Sequence, residues 1–433
     1  MYRCKTAFVM TLCCGLLPAL LFAQQNTRVS GRLTSSFYTF QRSDTVDSAS
    51  LHVRGYQSVL FDVRGQSFLF RSYAQVDNDF ATRIDGDARV RLYSFYLQWQ
   101  GILKTGQVQL GRVPVFGGIG AGTIDGAVLS LRQGKWLRLK AFGGSLTPER
   151  LQPELIANRG DNFLLGGELG FSPVQTLHVN MSYFNKNQTR PGYRTLRADS
   201  IGSVFTQFIE PQTQAFEFAS IDMSWQPHAG KSFYARTDFD VESQSFSRME
   251  FSARSRIAGR WTLSGAYTFR SPRLPWNSIF SVFNVEDNRE LEAGVHYRHS
   301  RGMRFYVNSA LVLYNDANSV RFTAGSSTRF GSLNYVHRSG YAGLLNGVNA
   351  ALYYPMHRGE LLPSLMLSWA AYKLDSDASE MNNLLSAALG LRYSPRRLFS
   401  IDSQLQLLSN TYYKIDSRFL FRLQYWFANT TGR

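Results

Sequence analysis

From residue 233 to residue 242 the chain alternates strictly. Phe233, Ala235, Thr237, Phe239 and Val241 stand against Tyr234, Arg236, Asp238, Asp240 and Glu242. A period of two places successive side chains on opposite faces of a β-strand, one face apolar and the other polar. The rhythm returns near the end, where Phe419, Phe421, Leu423, Tyr425 and Phe427 are interleaved with residues that include Arg418, Arg422 and Gln424. Comparable segments run along the whole chain, at 27–41, 51–63, 68–77, 90–99, 107–112, 123–132, 136–144, 161–171, 176–185, 214–225, 232–242, 246–258, 261–270, 289–299, 303–314, 319–328, 331–338, 344–354, 361–374, 384–393, 399–408 and 418–427. This gives twenty-two predicted strands, with an even number between eighteen and twenty-two as the range that the weaker alternations allow. Roughly ten residues suffice for one tilted pass through a bilayer. Short connections such as 64–66, 172–175, 258–260 and 394–397 alternate with longer or more polar ones, notably 145–160, 186–213 and 271–288. In lipid every backbone polar group must be satisfied within the protein, so strands of this kind need closure. The predicted fold is all-β: a single closed antiparallel transmembrane β-barrel, with short periplasmic turns and longer outer loops.

The first residues break the pattern. Arg3 and Lys5 precede an apolar run from Ala7 to Phe22, and Leu21-Phe22-Ala23 offers a cleavage site. This predicts a signal peptide over 1–23 and a barrel domain over 24–433. All three cysteines, Cys4, Cys13 and Cys14, lie in the leader. The mature chain therefore has no disulfide, thiolate chemistry or cysteine metal site. No later run of about eighteen apolar residues predicts a transmembrane helix. Aromatic residues make up 14% of the chain, as interfacial girdles require. The net charge of +16 falls to +14 once Arg3 and Lys5 are removed. That excess suits anionic headgroups or anions in a pore, whereas export argues against nucleic acid as a partner. No plug domain of the size carried by TonB-dependent transporters is expected ahead of the first strand.

Two stretches carry a family resemblance. The segment 419–427, closing on aromatic Phe427, resembles the C-terminal strand of bacterial outer-membrane β-barrels, with a short tail from Ala428 to Arg433 beyond it. The resemblance implies that the barrel-assembly machinery reads Phe419 to Phe427. The other stretch is Gln109-Leu110-Gly111-Arg112, followed by Phe116-Gly117-Gly118-Ile119-Gly120-Ala121-Gly122-Thr123-Ile124-Asp125-Gly126-Ala127. It is similar to a segment of bacterial porins and porin-like barrels, in which a strand ends in Leu-Gly-Arg, a glycine-rich bend follows and the next strand opens with Asp-Gly-Ala. The resemblance implies that Arg112 and Asp125 help to line a lumen. The residues themselves allow equally a glycine-rich hairpin in which Arg112 and Asp125 pair only to hold it. Its glycines permit positive φ or close backbone approach, so the bend can fold into the mouth.

Charge on a lipid face is costly at mid-depth, so the polar faces point inward. Arg236, Asp238, Asp240 and Glu242 then face the lumen beside Arg248, Glu250, Arg254 and Arg256, an acidic row next to a basic one. Arg54, Arg71, Arg138, Lys140, Arg298, Arg304, Arg321 and Arg422 fall on inner faces as well. Each could line a pore, where Arg and Lys favour anions, or brace the wall against a neighbour. The expected function is a porin-like channel for passive diffusion of small hydrophilic, anion-biased solutes. The alternative is a non-conducting structural or adhesive barrel acting through its outer loops. A third, disfavoured reading is an outer-membrane lipid hydrolase. His337-Arg338-Ser339-Gly340 is its motif candidate, but Gly340 stands where the phospholipase pattern has Asn, and nothing orients the His. No catalytic residue, cofactor or metal site is expected: the seven histidines lack ligand spacing. The glycine-rich stretch also lacks the Lys-Ser/Thr of a nucleotide loop. Outer-membrane lipid, the assembly machinery and small solutes are the expected partners, and both monomer and homo-oligomer stay open.

Overall fold

A computed structural model of the chain describes residues 27–45, 48–81, 88–189, 192–198, 204–209, 214–272, 287–299, 302–314, 318–341, 343–373, 380–411 and 415–431. The leader expected over 1–23 and most of the connection 271–288 lie outside the described residues. The alternating segments all become strands. In chain order they are β1 (Thr27–Thr45), β2 (Ser48–Arg64), β3 (Phe68–Asp79), β4 (Arg89–Ile102), β5 (Gly106–Phe116), β6 (Ala121–Gln133), β7 (Leu137–Leu146), β8 (Phe163–Val174), β9 (Leu177–Gln188), β10 (Tyr193–Ala198), β11 (Val204–Ile209) and β12 (Gln214–His228). They continue as β13 (Lys231–Asp240), β14 (Ser245–Ala258), β15 (Trp261–Arg270), β16 (Asn288–Arg298), β17 (Arg304–Leu313), β18 (Asn318–Thr328), β19 (Gly331–Gly340), β20 (Leu344–Tyr353), β21 (Leu361–Lys373), β22 (Asn382–Arg396), β23 (Phe399–Ser409) and β24 (Asp416–Thr431).

Twenty-two of these strands form one antiparallel sheet in which each pairs with the next in sequence, except that β9 pairs β12. The sheet closes where β1 meets β24, in unbroken register from Thr27 opposite Thr431 to Thr39 opposite Phe419. The tail beyond Phe427 is thus largely strand: β24 runs to Thr431. The missing pair, β10 and β11, is a separate hairpin inside the 186–213 connection. At six residues each, these strands are too short for a membrane pass.

Register transmits one alternation around the whole barrel, because directly paired residues share a face. Leu97, Leu110, Leu169, Phe251, Leu311, Leu389 and Phe419 stand on the outside as large exposed apolar side chains. So wide an apolar surface on a closed sheet fits a lipid-facing wall. Around the end that holds Thr27 and Thr431 the outer wall carries ring pairs: Trp136 with Phe171, Trp225 with Phe233, Trp261 with Tyr297, Phe330 with Tyr354 and Tyr425 with Phe427. Such rings suit the boundary between hydrocarbon and headgroups. The turns at this end are mostly short, as between β12 and β13, where a hairpin turns through Gly230 at φ +94°.

Candidate functional site: the lumen and its bent hairpin

One hairpin leaves the wall. Pairing of β4 with β5 stops at Phe95 opposite Arg112, although β4 continues upward to Arg89. At this point Gly111 takes φ +125°, and a Cβ there would fall on the Phe95 carbonyl. Gly111 pairs with Gly126, which pairs with Gly144. Three strands therefore pass the bend on glycine, where no Cβ blocks close backbone approach. Beyond it the β5–β6 tip lies on the inner face of β7–β9. Lys140 Nζ donates to the Phe116 carbonyl at 2.6 Å. A Cβ on Gly117 would be 3.3 Å from Glu168 Oε1, and one on Gly118 2.9 Å from Ser182 Oγ. Val113, Val115 and Ile124, each 1% exposed or less, pack with Phe142, Leu146, Leu164 and Phe184. The glycine-rich bend thus carries a small apolar core of its own inside the barrel.

Arg112 and Asp125 face away from that core. They form a two-pronged ion pair, Nε to Oδ1 and Nη2 to Oδ2, both at 2.8 Å. The remaining guanidinium protons go to the carbonyls of Gln152 at 2.5 Å and Glu154 at 3.0 Å, in the connection between β7 and β8. That connection also pairs with β4, through Leu92 N–H to the Leu151 carbonyl, and so fills the gap left by the departing hairpin. Arg112 is only 4% exposed. These contacts tie the hairpin to the connection between β7 and β8.

The other sequence-level candidates divide by burial. Asp238, facing inward, accepts from Ser220 Oγ at 2.6 Å and from Arg236 Nε at 2.8 Å. Asp240 caps the next turn by accepting from the backbone N–H groups of Glu242 and Ser243. Both aspartates are buried, so they act on the wall. Arg138 and Lys140 border a lumenal cavity of ≈ 700 Å³ that also meets Glu168, Asn180 and Asp222. Arg254 and Arg256 border a second, of ≈ 610 Å³, nearer the terminus-bearing end. Further inward ion pairs join Arg54 to Asp77, Arg71 to Asp62, Arg248 to Glu250, Arg321 to Glu290 and Glu292, and Arg418 to Asp416. Among the described residues no cluster of His, Cys, Asp and Glu fits a metal ion.

His337 points outward and bonds Asn346 Oδ1 at 2.8 Å, with no hydrogen bond to the Ser339 hydroxyl. Sequence reasoning missed a different trio. Ser50 Oγ is 3.0 Å from His52 Nε2, and His52 Nδ1 is 2.8 Å from Asp79 Oδ2. The order is that of a hydrolase triad, but the base has no open face: His52 is 2% exposed and stacked on Phe40. Asp79 also accepts from Ala81 N–H at 3.0 Å. The trio ties the end of β3 to β2. The i, i+2 spacing of Ser50 and His52 was visible in the sequence, but the third member, on another strand, was not.

A third feature emerges only from register. Arg28 stands opposite Arg64, Arg132 opposite Arg138 and Arg298 opposite Arg304, all at the terminus-bearing end and on the lumenal face. Like charges directly opposite destabilise a sheet. At the other end, the corresponding pairs Arg248–Arg270 and Arg321–Arg338 have glutamates beside them.

No known protein-family model matches this chain, and no curated protein matches it in sequence. Solved structures do resemble it. A mutant of the ferric enterobactin receptor PfeA from Pseudomonas aeruginosa superposes with a TM-score of 0.54 at 10% identity, over 92% of this chain and 80% of that one. The PapC-PapD-PapK-PapG P pilus tip assembly intermediate from E. coli gives 0.51 at 10% identity; 93% of this chain aligns and spans 61% of that chain. OccK7 (OpdD) from P. aeruginosa gives 0.42 at 10% identity, over 95% and 100%. What the receptor and the pilus assembly share with this chain is architecture: its fold is that of a large outer-membrane β-barrel.

Proposed function

We propose that the chain is a porin-like channel of the Gram-negative outer membrane, passing small hydrophilic solutes by passive diffusion with a bias towards anions. The observation that carries this is the inner wall: a closed barrel, apolar outside, encloses a charged surface whose terminus-bearing mouth is lined by three Arg–Arg pairs. Rings of Arg in a water-filled passage lower the energy of an anion there and raise that of a cation. The even strand number puts both termini on one side, here the periplasmic side. The bent β5–β6 hairpin occupies lumen space against β7–β9 and is the element that would set the size limit. A leader over 1–23 would deliver the chain, and β24 would present Phe419 to Phe427 to the assembly machinery.

Conductance of the refolded chain in a planar bilayer, with a salt gradient across it, tests the reading. Steady openings with a reversal potential favouring chloride are expected. A folded, inserted barrel that passes no current would overturn the channel and return attention to the outer loops.

A further inference from the structure

The structure assigns a binding site for multiply charged oxyanions, phosphate esters or polycarboxylates, to the inner wall of β13–β18 at the terminus-bearing mouth. The proposal draws on the channel reading for the route by which the anion arrives, but the site itself stands without it. The cavity there is ≈ 610 Å³, the size of a small-molecule pocket. Lys231, Arg254, Arg256, Arg260, Arg298 and Arg304 line it, and no described Asp or Glu does. None of the six has an ion-pair partner among the described residues. The contrast with the ≈ 700 Å³ cavity under the hairpin is internal to the molecule, for there Arg138 and Lys140 share the wall with Glu168 and Asp222.

Three features make this a built pocket rather than a scatter of surface charge. Arg298 and Arg304 are direct cross-strand partners, an arrangement unfavourable until an anion lies between the two forks. Arg254 and Arg256 form the next rows on β14, opposite the short side chains of Ser264 and Thr262. The hydroxyl of Tyr306 is engaged elsewhere, with Asn334 Oδ1 at 2.7 Å, so its ring serves as a fixed wall. A singly charged ion would leave most of this positive charge unanswered. Two or more oxyanion groups on one small molecule would meet several guanidinium forks at once, each able to hold an oxyanion by two hydrogen bonds.

The test uses the full folded barrel in detergent, with equilibrium dialysis of labelled pyrophosphate and of labelled citrate at low salt. At least one should bind saturably, and the pair Arg298→Gln with Arg304→Gln should weaken that binding about tenfold. The pair Arg150→Gln with Arg159→Gln removes equal charge from the connection at the opposite end and should leave binding unchanged. Pyrophosphate alone binding would assign phosphate esters, and citrate alone polycarboxylates. If neither binds, or if both variant pairs weaken binding equally, the site is overturned. Should the Arg298/Arg304 variant fail to show the folded mobility on an unheated gel, Arg256→Gln repeats the test one row further in. Binding by a barrel that never conducts would keep the site and remove the channel. Conduction by a barrel that binds neither anion would do the reverse.

Discussion

Arg112 shows how one side chain can hold a distortion in place. Its guanidinium meets Asp125 with two prongs and backbone carbonyls with the rest, in a setting almost closed to water. Burial removes solvation from both charges, and only complete hydrogen bonding offsets that cost. Arg112→Ala leaves Asp125 with a buried, unpaired charge and the 152–154 carbonyls without their donor. A destabilisation of about 3–5 kcal/mol is expected, read as a lower temperature at which the folded band is lost on gels. Lys cannot make the two-pronged contact, so Arg112→Lys should fall between. Arg256, exposed and without a carboxylate partner, should behave oppositely. Its change to Gln should alter stability by less than about 0.5 kcal/mol while moving the reversal potential towards zero. A stability loss for Arg256→Gln as large as for Arg112→Ala would place both in the same bracing role.

The β5–β6 hairpin is the element in which the simple period-two wall fails. Gly111 must keep positive φ beside the Phe95 carbonyl. Gly111→Ala is therefore expected to destabilise the bend by about 1–3 kcal/mol. Removing the packing beneath it, by Phe142→Ala, costs about 3–5 kcal/mol of the hairpin's seat. If the barrel wall survives either change, the hairpin is freed from the inner face and single-channel conductance should rise. Unchanged conductance in a variant whose folded band persists would show that the hairpin does not limit the passage. Most of the wall was legible in the sequence because alternation records which side of a strand meets lipid. Residues 233–240 and 419–427 fall in β13 and β24 with the expected faces, whereas Val241 and Glu242 lie in the turn beyond β13. Alternation does not record where a sheet bends away from itself. Val113, Val115 and Ile124, which flank the glycine-rich bend, are buried lumenal core. The expected strands 107–112 and 123–132 leave 113–122 as the bend, whereas β5 and β6 extend to Phe116 and back to Ala121, leaving only four residues as the turn. The hairpin of β10 and β11 carries no wall signal, because its strands are shorter than a bilayer crossing.

Across the whole molecule, inward acids pair with arginines over most of the wall, Asp62 with Arg71 near the terminus-bearing end among them. Inward acids such as Asp77, Asp238, Glu290 and Glu292 meet their arginines in the middle and upper wall. The Arg–Arg pairs at 28/64, 132/138 and 298/304 occupy the terminus-bearing mouth. Composition shows the excess of positive charge; register, which sets these arginines face to face across neighbouring strands, locates it. The consequence is an asymmetric field, and selectivity should depend on which side holds the dilute salt. With exposed charges, screening reaches about 10 Å at 0.1 M salt and about 3 Å at 1 M. Anion preference should accordingly be strong at 0.1 M and nearly lost at 1 M, with the larger effect when the dilute solution bathes the terminus-bearing mouth. Replacing Arg132 and Arg138 by Gln should reduce the preference and its asymmetry together, since the pair contributes at that mouth alone. A preference that survives 1 M salt unchanged, or one indifferent to the orientation of the gradient, would point to a narrow charged constriction deeper in the lumen as its source. Lys140, beside the hairpin tip and 3.8 Å from Glu168, would then be the residue to change next.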